Sequence, residues 1–493
     1  MATFTRELVQ LFEQLFAPVA AVWPTAAALL DLALAILASS HAVLHKRDVR
    51  AAIGWSGLIW LVPFLGSLLY WLLGINRIRR RAARLERPLL AVRQSALVYR
   101  AGLERGAAAR LAPLVELVAR ATGNPLLAGN RVTPLVGGAK AYPAMLEEIA
   151  AAQRSILFST YIFDHDRAGR LFLEAFAAAR RRGVEVRVLI DGVGARYSRP
   201  RMTKLLRARG VPVAEFLTPT LPFANPYVNL RNHRKILVVD GRRAFTGGMN
   251  IREGCLPDLD PPPRHPIQDL HFAIEGPVVE QIFAAGAIDW HFATGERLDG
   301  EAWAADIRPA GEVKARAIPV GPDEDFETLG TTIQGALAMA RRRVCVLTPY
   351  FLPDQVLIAA LRLAALRGVR VDIVLPERSN LRFVEWAATA QLPQVMGDDC
   401  WVWLMPPPFD HSKLMVVDAE WSLIGSANWD ARSLRLNFEI DVECYDRELA
   451  AALEELVESR IQASRRLARE EIEGRPLPLR LRDGVARLFA PYL

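Results

Sequence analysis

Apolar and polar positions divide the chain into two unlike parts. In the first, Thr25–Val43 is apolar but for Asp31 and Ala51–Ile75 carries no charge, so each stretch meets the roughly 20-residue length of a membrane-crossing helix. Pro63 predicts a kink in the second stretch. Glu7 and Glu13 in the lead-in, with a second apolar run following directly, argue against a cleaved signal peptide. Arg77, Arg79, Arg80, Arg81, Arg84 and Arg87 follow the second stretch and favour the cytoplasmic side for everything after it. Lys46, Arg47 and Arg50 lie between the stretches, where a hairpin of two spans would put them outside. Either the larger cluster prevails, or the second stretch dips in and returns at Pro63.

After Pro88 the pattern changes to short apolar runs of strand length alternating with helical periodicity, and it is written twice. AQRSILFSTYIF (152–163) matches ARRRVCVLTPYF (340–351), each a helix end running into a buried strand. RRGVEVRVLID (181–191) matches LRGVRVDIVLP (366–376), each a helix closed by Gly and followed by a strand. Alternation predicts an α/β fold, and duplication predicts two similar halves about a pseudo-twofold axis. The expected organisation is a membrane region over 1–90, a linker over 91–135, a first half over 136–310 and a second over 311–493.

One motif also occurs twice, within 227–254 and 405–432. NHRKILVVDGRRAFTGGMN and HSKLMVVDAEWSLIGSAN share the order His, one residue, Lys, four residues, Asp, six residues, then Gly-Gly-x-Asn or Gly-Ser-x-Asn. Alternation along a strand aims His233 with Lys235, and His411 with Lys413, at one face, while the apolar run behind anchors the strand. Asp240-Gly241 is a hairpin-turn signal that returns the chain to deliver Gly248 and Asn250 near the same place; Ser426 and Asn428 are their counterparts. Asp240 and Asp418 complete the motif at the strand ends and read as scaffold.

Ten Lys or Arg against five Asp or Glu fall in the first 90 residues, so five of the seven net positive charges sit there and the body is close to neutral. A protein tracking a polyphosphate backbone wants a basic stripe, so no nucleic-acid partner is expected. Cys255, Cys345, Cys400 and Cys444 are widely spaced, without a CxxC pair, which indicates neither a zinc site nor a disulfide framework.

Two imidazoles, two ammonium groups and two carboxamides, with few carboxylates, suit a phosphate diester. One His can attack phosphorus while the other protonates the leaving oxygen, and the lysines and asparagines offset charge on the remaining oxygens. Neither a metal nor a cofactor is needed for this.

The double HxKxxxxD pattern with trailing GGxN and GSxN resembles the phospholipase D superfamily. FTGGMNI, DLHFAIEGP, LTPYFLPD, NFEI and the apolar N-terminus are similar, within it, to the bacterial cardiolipin synthases. The resemblance spans essentially the whole chain. It implies a membrane-embedded enzyme that moves a phosphatidyl group from one phosphatidylglycerol to another, on an anionic lipid surface, giving cardiolipin and glycerol. It also implies His233 as nucleophile, His411 as acid and then base, and Asp269 and Glu439 as the groups that orient the histidines. Residue chemistry alone leaves open the alternative of hydrolysis, in which water resolves the intermediate. One departure stands out: Gln268 precedes Asp269 where the family pattern has the end of a Trp-Arg-Asp run, after a proline cluster at 261–263.

Overall fold

The computed structural model describes residues 2–46, 49–75, 99–101, 107–218, 230–321, 328–397 and 399–490. Arg47 and the arginines from Arg77 to Arg87 lie outside them. The chain forms two compact units, the N-terminal region and the rest.

In the N-terminal unit a helix runs over Ala2–His45, and its Val22–His45 portion, with mean hydropathy 1.9, is the one helix among the described residues long and apolar enough to cross a membrane. Ala51–Ile75 is not a second continuous helix. Val49–Leu61 stops before Pro63, Phe64 takes a left-handed φ of 56°, and the chain resumes as Leu65–Leu69 and a π-helical turn over Tyr70–Gly74. Proline ends the first segment because it lacks an N–H and crowds the preceding turn. Asp31, the lone charge of the first stretch, accepts the Phe64 N–H at 2.6 Å. The rings of Trp55 and Tyr70 then lie 5.4 Å apart, where a straight helix would separate these positions by about 22 Å. The second stretch doubles back on itself, and Lys46 Nζ reaches the Gly74 carbonyl.

The larger unit is built on one 15-stranded sheet and two short two-stranded pairs. The first half contributes β1 (Leu127–Val136), β2 (Ser155–Thr160), β3 (Glu185–Asp191), β4 (Val213–Phe216), β5 (Ile236–Val239), β6 (Arg243–Gly247), the short β7 (Ile267–Gln268) and β8 (Leu270–Glu275). The second contributes β9 (Val313–Val320), β10 (Arg343–Leu347), β11 (Phe351–Leu352), β12 (Arg370–Pro376), β13 (Cys400–Met405), β14 (Phe409–Asp410), β15 (Leu414–Val417), β16 (Trp421–Gly425), β17 (Trp429–Asp430), β18 (Glu439–Tyr445) and β19 (Arg465–Arg466). The short pairs are β11 with β17 and β14 with β7. In the large sheet the order β1-β8-β6-β5-β2-β3-β4 repeats as β9-β18-β16-β15-β10-β12-β13, with β19 on the outer edge. The halves join through the antiparallel pair β1 and β9, at Leu127↔Ala315 and Asn130↔Val313. A pseudo-twofold axis therefore runs between β1 and β9.

The repeated sequences occupy matching places. AQRSILFSTYIF holds β2 and ARRRVCVLTPYF holds β10, and each pairs in parallel with the next strand, β3 or β12. Each motif forms a hairpin, β5 with β6 and β15 with β16, whose apolar runs Ile236–Val239 and Leu414–Val417 are buried on both faces. Two-residue hairpin turns of this hand need positive φ at both central positions, and Asp240 (54°) and Gly241 (62°) supply it.

Candidate active site

The approach to each motif is tied to the opposite half. The His233 N–H donates to the Phe438 carbonyl at 2.9 Å, immediately before Glu439, and the His411 N–H donates to the Gln268 carbonyl at 2.7 Å, immediately before Asp269. In the second case β14 pairs in parallel with β7. Gln268, the departure noted in the sequence, thus makes its link through the backbone, which any side chain allows.

The acids cross with the backbone. His233 Nδ1 sits 2.9 and 3.0 Å from the two oxygens of Glu439, a residue of the second half. His411 Nδ1 is 2.9 Å from Asp269 Oδ2, in the first half. Both carboxylates are fully buried, and each leaves Nε2 of its histidine for chemistry. Lys235 Nζ donates to the His233 carbonyl at 2.7 Å, and Lys413 Nζ donates to that of His411. Both histidines, with Asn250 and Asn428, line one cavity of about 370 Å³ between the halves.

Burial dominates the proton equilibria of the site. It pushes Lys235 down to about 7 and Lys413 to about 8, with the attraction of Glu439 and Asp269 opposing it. His233 is pushed to about 4 by burial against the pull of Glu439, and His411 falls well below its usual value through burial and the charges of Lys413 and Lys235. The acids part company. Burial lifts Asp269 to about 6, whereas in Glu439 burial is outweighed by His233, Lys235 and the Ser426 hydroxyl, so it stays below the ordinary range. Ser426 Oγ donates to Glu439 at 2.6 Å and Asn437 Nδ2 donates at 3.1 Å.

Not every motif residue reaches the cavity. The Asp240 carboxylate accepts the backbone N–H groups of Gln153, Arg154 and Ser155 at 2.8–2.9 Å, and that of Asp418 accepts those of Arg341, Arg342 and Arg343 at 2.8–3.0 Å. Each therefore secures the start of β2 or β10, away from the cavity: although Asp240 and Asp418 belong to the motif with the candidate catalytic His and Lys, their place is that of scaffold. Ser426 and Gly248 likewise stand behind the acids instead of on the cavity wall. A Cβ at Gly248 would collide with Asp269 Oδ1, so glycine makes room for that carboxylate. The Asn250 Oδ1 accepts the Ile162 N–H at 3.0 Å, and the Asn428 amide donates to Ser433 Oγ at 3.2 Å.

Sequence reading overlooked a pair of tyrosines. The Tyr161 ring lies 5.1 Å from that of His233, and the Tyr350 ring lies 6.3 Å from that of His411. Their signal was partial, since each closely follows a repeated strand but one residue out of register: Tyr161 aligns with Pro349 and Tyr350 with Ile162. Arg234 was also missed. Buried between His233 and Lys235, it pairs with Asp289 at 2.7 Å and donates to the carbonyls of Glu439 and Val320, pinning the two halves beside the segment that carries His233. Among the described residues no group of three or more His, Cys, Asp or Glu is arranged to hold a metal ion.

Similarity to known proteins follows the same division. The domain family described as "Cardiolipin synthase, PLD-like domain" matches residues 145–257 and 333–461, once in each half, and one described as "Phospholipase_D-nuclease N-terminal" matches 33–74. Cardiolipin synthase A of Pseudomonas entomophila is 33% identical over 471 residues, covering 93% of this chain and 96% of the relative. The major cardiolipin synthase of Bacillus subtilis is 30% identical over 467 residues, covering 91% and 95%. The crystal structure of phosphatidylserine synthase from Haemophilus influenzae matches with a TM-score of 0.59 at 16% identity, over 77% of this chain and all of that one, a likeness of fold.

Proposed function

Because this chain belongs to the cardiolipin synthase family of the phospholipase D superfamily, we propose that it condenses two phosphatidylglycerol molecules into cardiolipin and glycerol through a phosphohistidine. The observation that carries the reading is the facing pair of histidines, each backed by a buried carboxylate from the other half.

In the first step His233 Nε2 attacks phosphorus and the P–O bond to the leaving glycerol breaks as His411 gives that oxygen a proton. Glu439 supports the nucleophile: held ionised by three donors, it draws on the Nδ1–H and enriches Nε2. Lys235 and Lys413 offset the charge on the non-bridging oxygens. The arriving phosphate favours the protonated forms of the lysines and His411, against the burial that weakens their hold on protons. In the second step His411 takes the proton from the terminal hydroxyl of the acceptor, whose oxygen attacks phosphorus and expels His233. Two displacements leave the configuration at phosphorus unchanged. No metal or cofactor takes part.

The protein is an integral protein of the bacterial inner membrane, held through Val22–His45, with its body on the cytoplasmic side beside anionic lipid. The apolar helix and the arginines after Ile75 support this. Purified full-length protein given labelled phosphatidylglycerol tests the reading. Cardiolipin with an equivalent of glycerol is expected; phosphatidic acid in its place would make the enzyme a hydrolase.

A further inference from the structure

Outside the N-terminal unit, exposed large apolar side chains concentrate in one place. Of thirteen such residues among the described residues of the larger unit, eight belong to 381–383 and 477–489. The helix Leu477–Arg487 packs on the helix Arg382–Gln391 through its buried Ala486 and Asp483. At about 100° per residue, Leu477, Leu481, Val485 and Leu488 fall on the opposite side within an 80° stripe. They are 65, 59, 54 and 73% exposed. The exposed Arg480 and Arg487 flank the stripe on one side; Arg482, on the other, turns back onto the Trp386 ring and Asp483. The acidic member, Asp483, is buried in ion pairs with Arg475 and Arg482, so the outward face is positive.

This surface is continuous with the active-site opening. The Phe489 ring lies 5.6 Å from that of Phe383, and Leu381 and Val384 of the same segment line the cavity that holds the two histidines. Arg378 and Arg382, both exposed, stand beside them.

We propose that the C-terminal helix Leu477–Arg487, together with Leu381 and Phe383, lies flat on an anionic bilayer surface and sets the mouth of the cavity against the lipid. An apolar stripe flanked by arginines matches the interface between acyl chains and anionic headgroups, the stems of the arginines running along the apolar layer while their guanidinium groups reach phosphate. The inference rests on the lipid-substrate reading. A diester whose tails stay in the membrane can reach two buried histidines only if the mouth meets the surface those tails leave.

The test uses the full chain in phosphatidylglycerol-containing vesicles. All four native cysteines are buried, so a thiol-reactive environment-sensitive dye can be directed to Leu481→Cys and, as a control, to the exposed Leu363→Cys on another helix. Quenching at 481 by lipids brominated on their acyl chains, and not at 363, is expected. In parallel, Leu481→Glu with Val485→Glu should lower turnover on vesicles by about tenfold or more while leaving turnover of a dispersed short-chain phosphatidylglycerol unchanged. Absence of bromolipid quenching at 481 overturns the proposal. Dye–dye quenching between copies in its place also overturns it, making the stripe a self-association surface. The quenching readout needs no turnover, so failure of the catalytic reading leaves it interpretable.

Discussion

His233 and His411 occupy matching places in two halves of identical strand order, yet the carboxylates behind them are held differently. Glu439 accepts from His233, Ser426 and Asn437, and is kept ionised. Asp269 accepts from His411 and the Leu270 N–H, stands opposite a glycine where the other half has Ser426, and titrates near 6. Symmetric backbones thus carry unequal proton equilibria. A permanently ionised partner suits a histidine that must stay a nucleophile; a partner titrating near neutrality suits one that gives and retakes a proton.

The sharpest way to break this comparison is to remove each histidine in turn. His233→Ala should abolish turnover and form no covalent lipid adduct. His411→Ala should lose about 10²–10⁴-fold, the usual worth of a general acid–base, and accumulate an adduct detectable by mass spectrometry after a neutral or basic quench. An adduct on His411 in the His233→Ala protein would exchange the roles of the halves.

Next come the acids. Glu439→Gln should lower kcat on the order of 10³-fold, because the amide can present the wrong group to Nδ1 and lose the charge that supports it. Asp269→Asn should cost closer to 10²-fold, within the range for impaired proton transfer. Equal losses in steady-state assays would remove the distinction between the halves.

A smaller effect lies in pH. Burial lowers Lys235 to about 7 and Lys413 to about 8, below the usual lysine value. Anion binding requires the protonated form, so kcat/KM should fall as pH rises through 7–8. The bound phosphate favours that form, so kcat should hold to higher pH. A kcat/KM flat to pH 10 would contradict the buried-lysine picture.

Smallest should be the effects of Asp240→Asn and Asp418→Asn on turnover per folded molecule. Each weakens a carboxylate that binds three backbone N–H groups, at about 1–3 kcal/mol of stability, and leaves the cavity alone. Thermal unfolding should shift while kcat stays within a few-fold. EDTA should leave kcat unchanged; loss of activity restored by added magnesium would refute the two-histidine mechanism.

Much of this was legible from residue order. The duplicated strands, the hairpin signal at Asp240-Gly241 and the alternation that aims His and Lys together are local, and local rules read them. What escaped depends on contacts remote in the chain. Glu439 is 206 residues from His233, so spacing could mark it without saying which histidine it serves. The tyrosines were visible only as strand ends until the sheet set them beside the imidazoles. Asp31, an isolated charge in an apolar stretch, makes sense only once Phe64 is seen to need an acceptor.

The crossing of acids between halves also makes the two halves interdependent. A lone half would carry a histidine and an acid that cannot meet within its own fold. Only two halves facing one another complete the dyads, and they complete both at once. Carrying both halves in one chain lets the two supports differ, and Glu439 with Ser426 differs from Asp269 with Gly248.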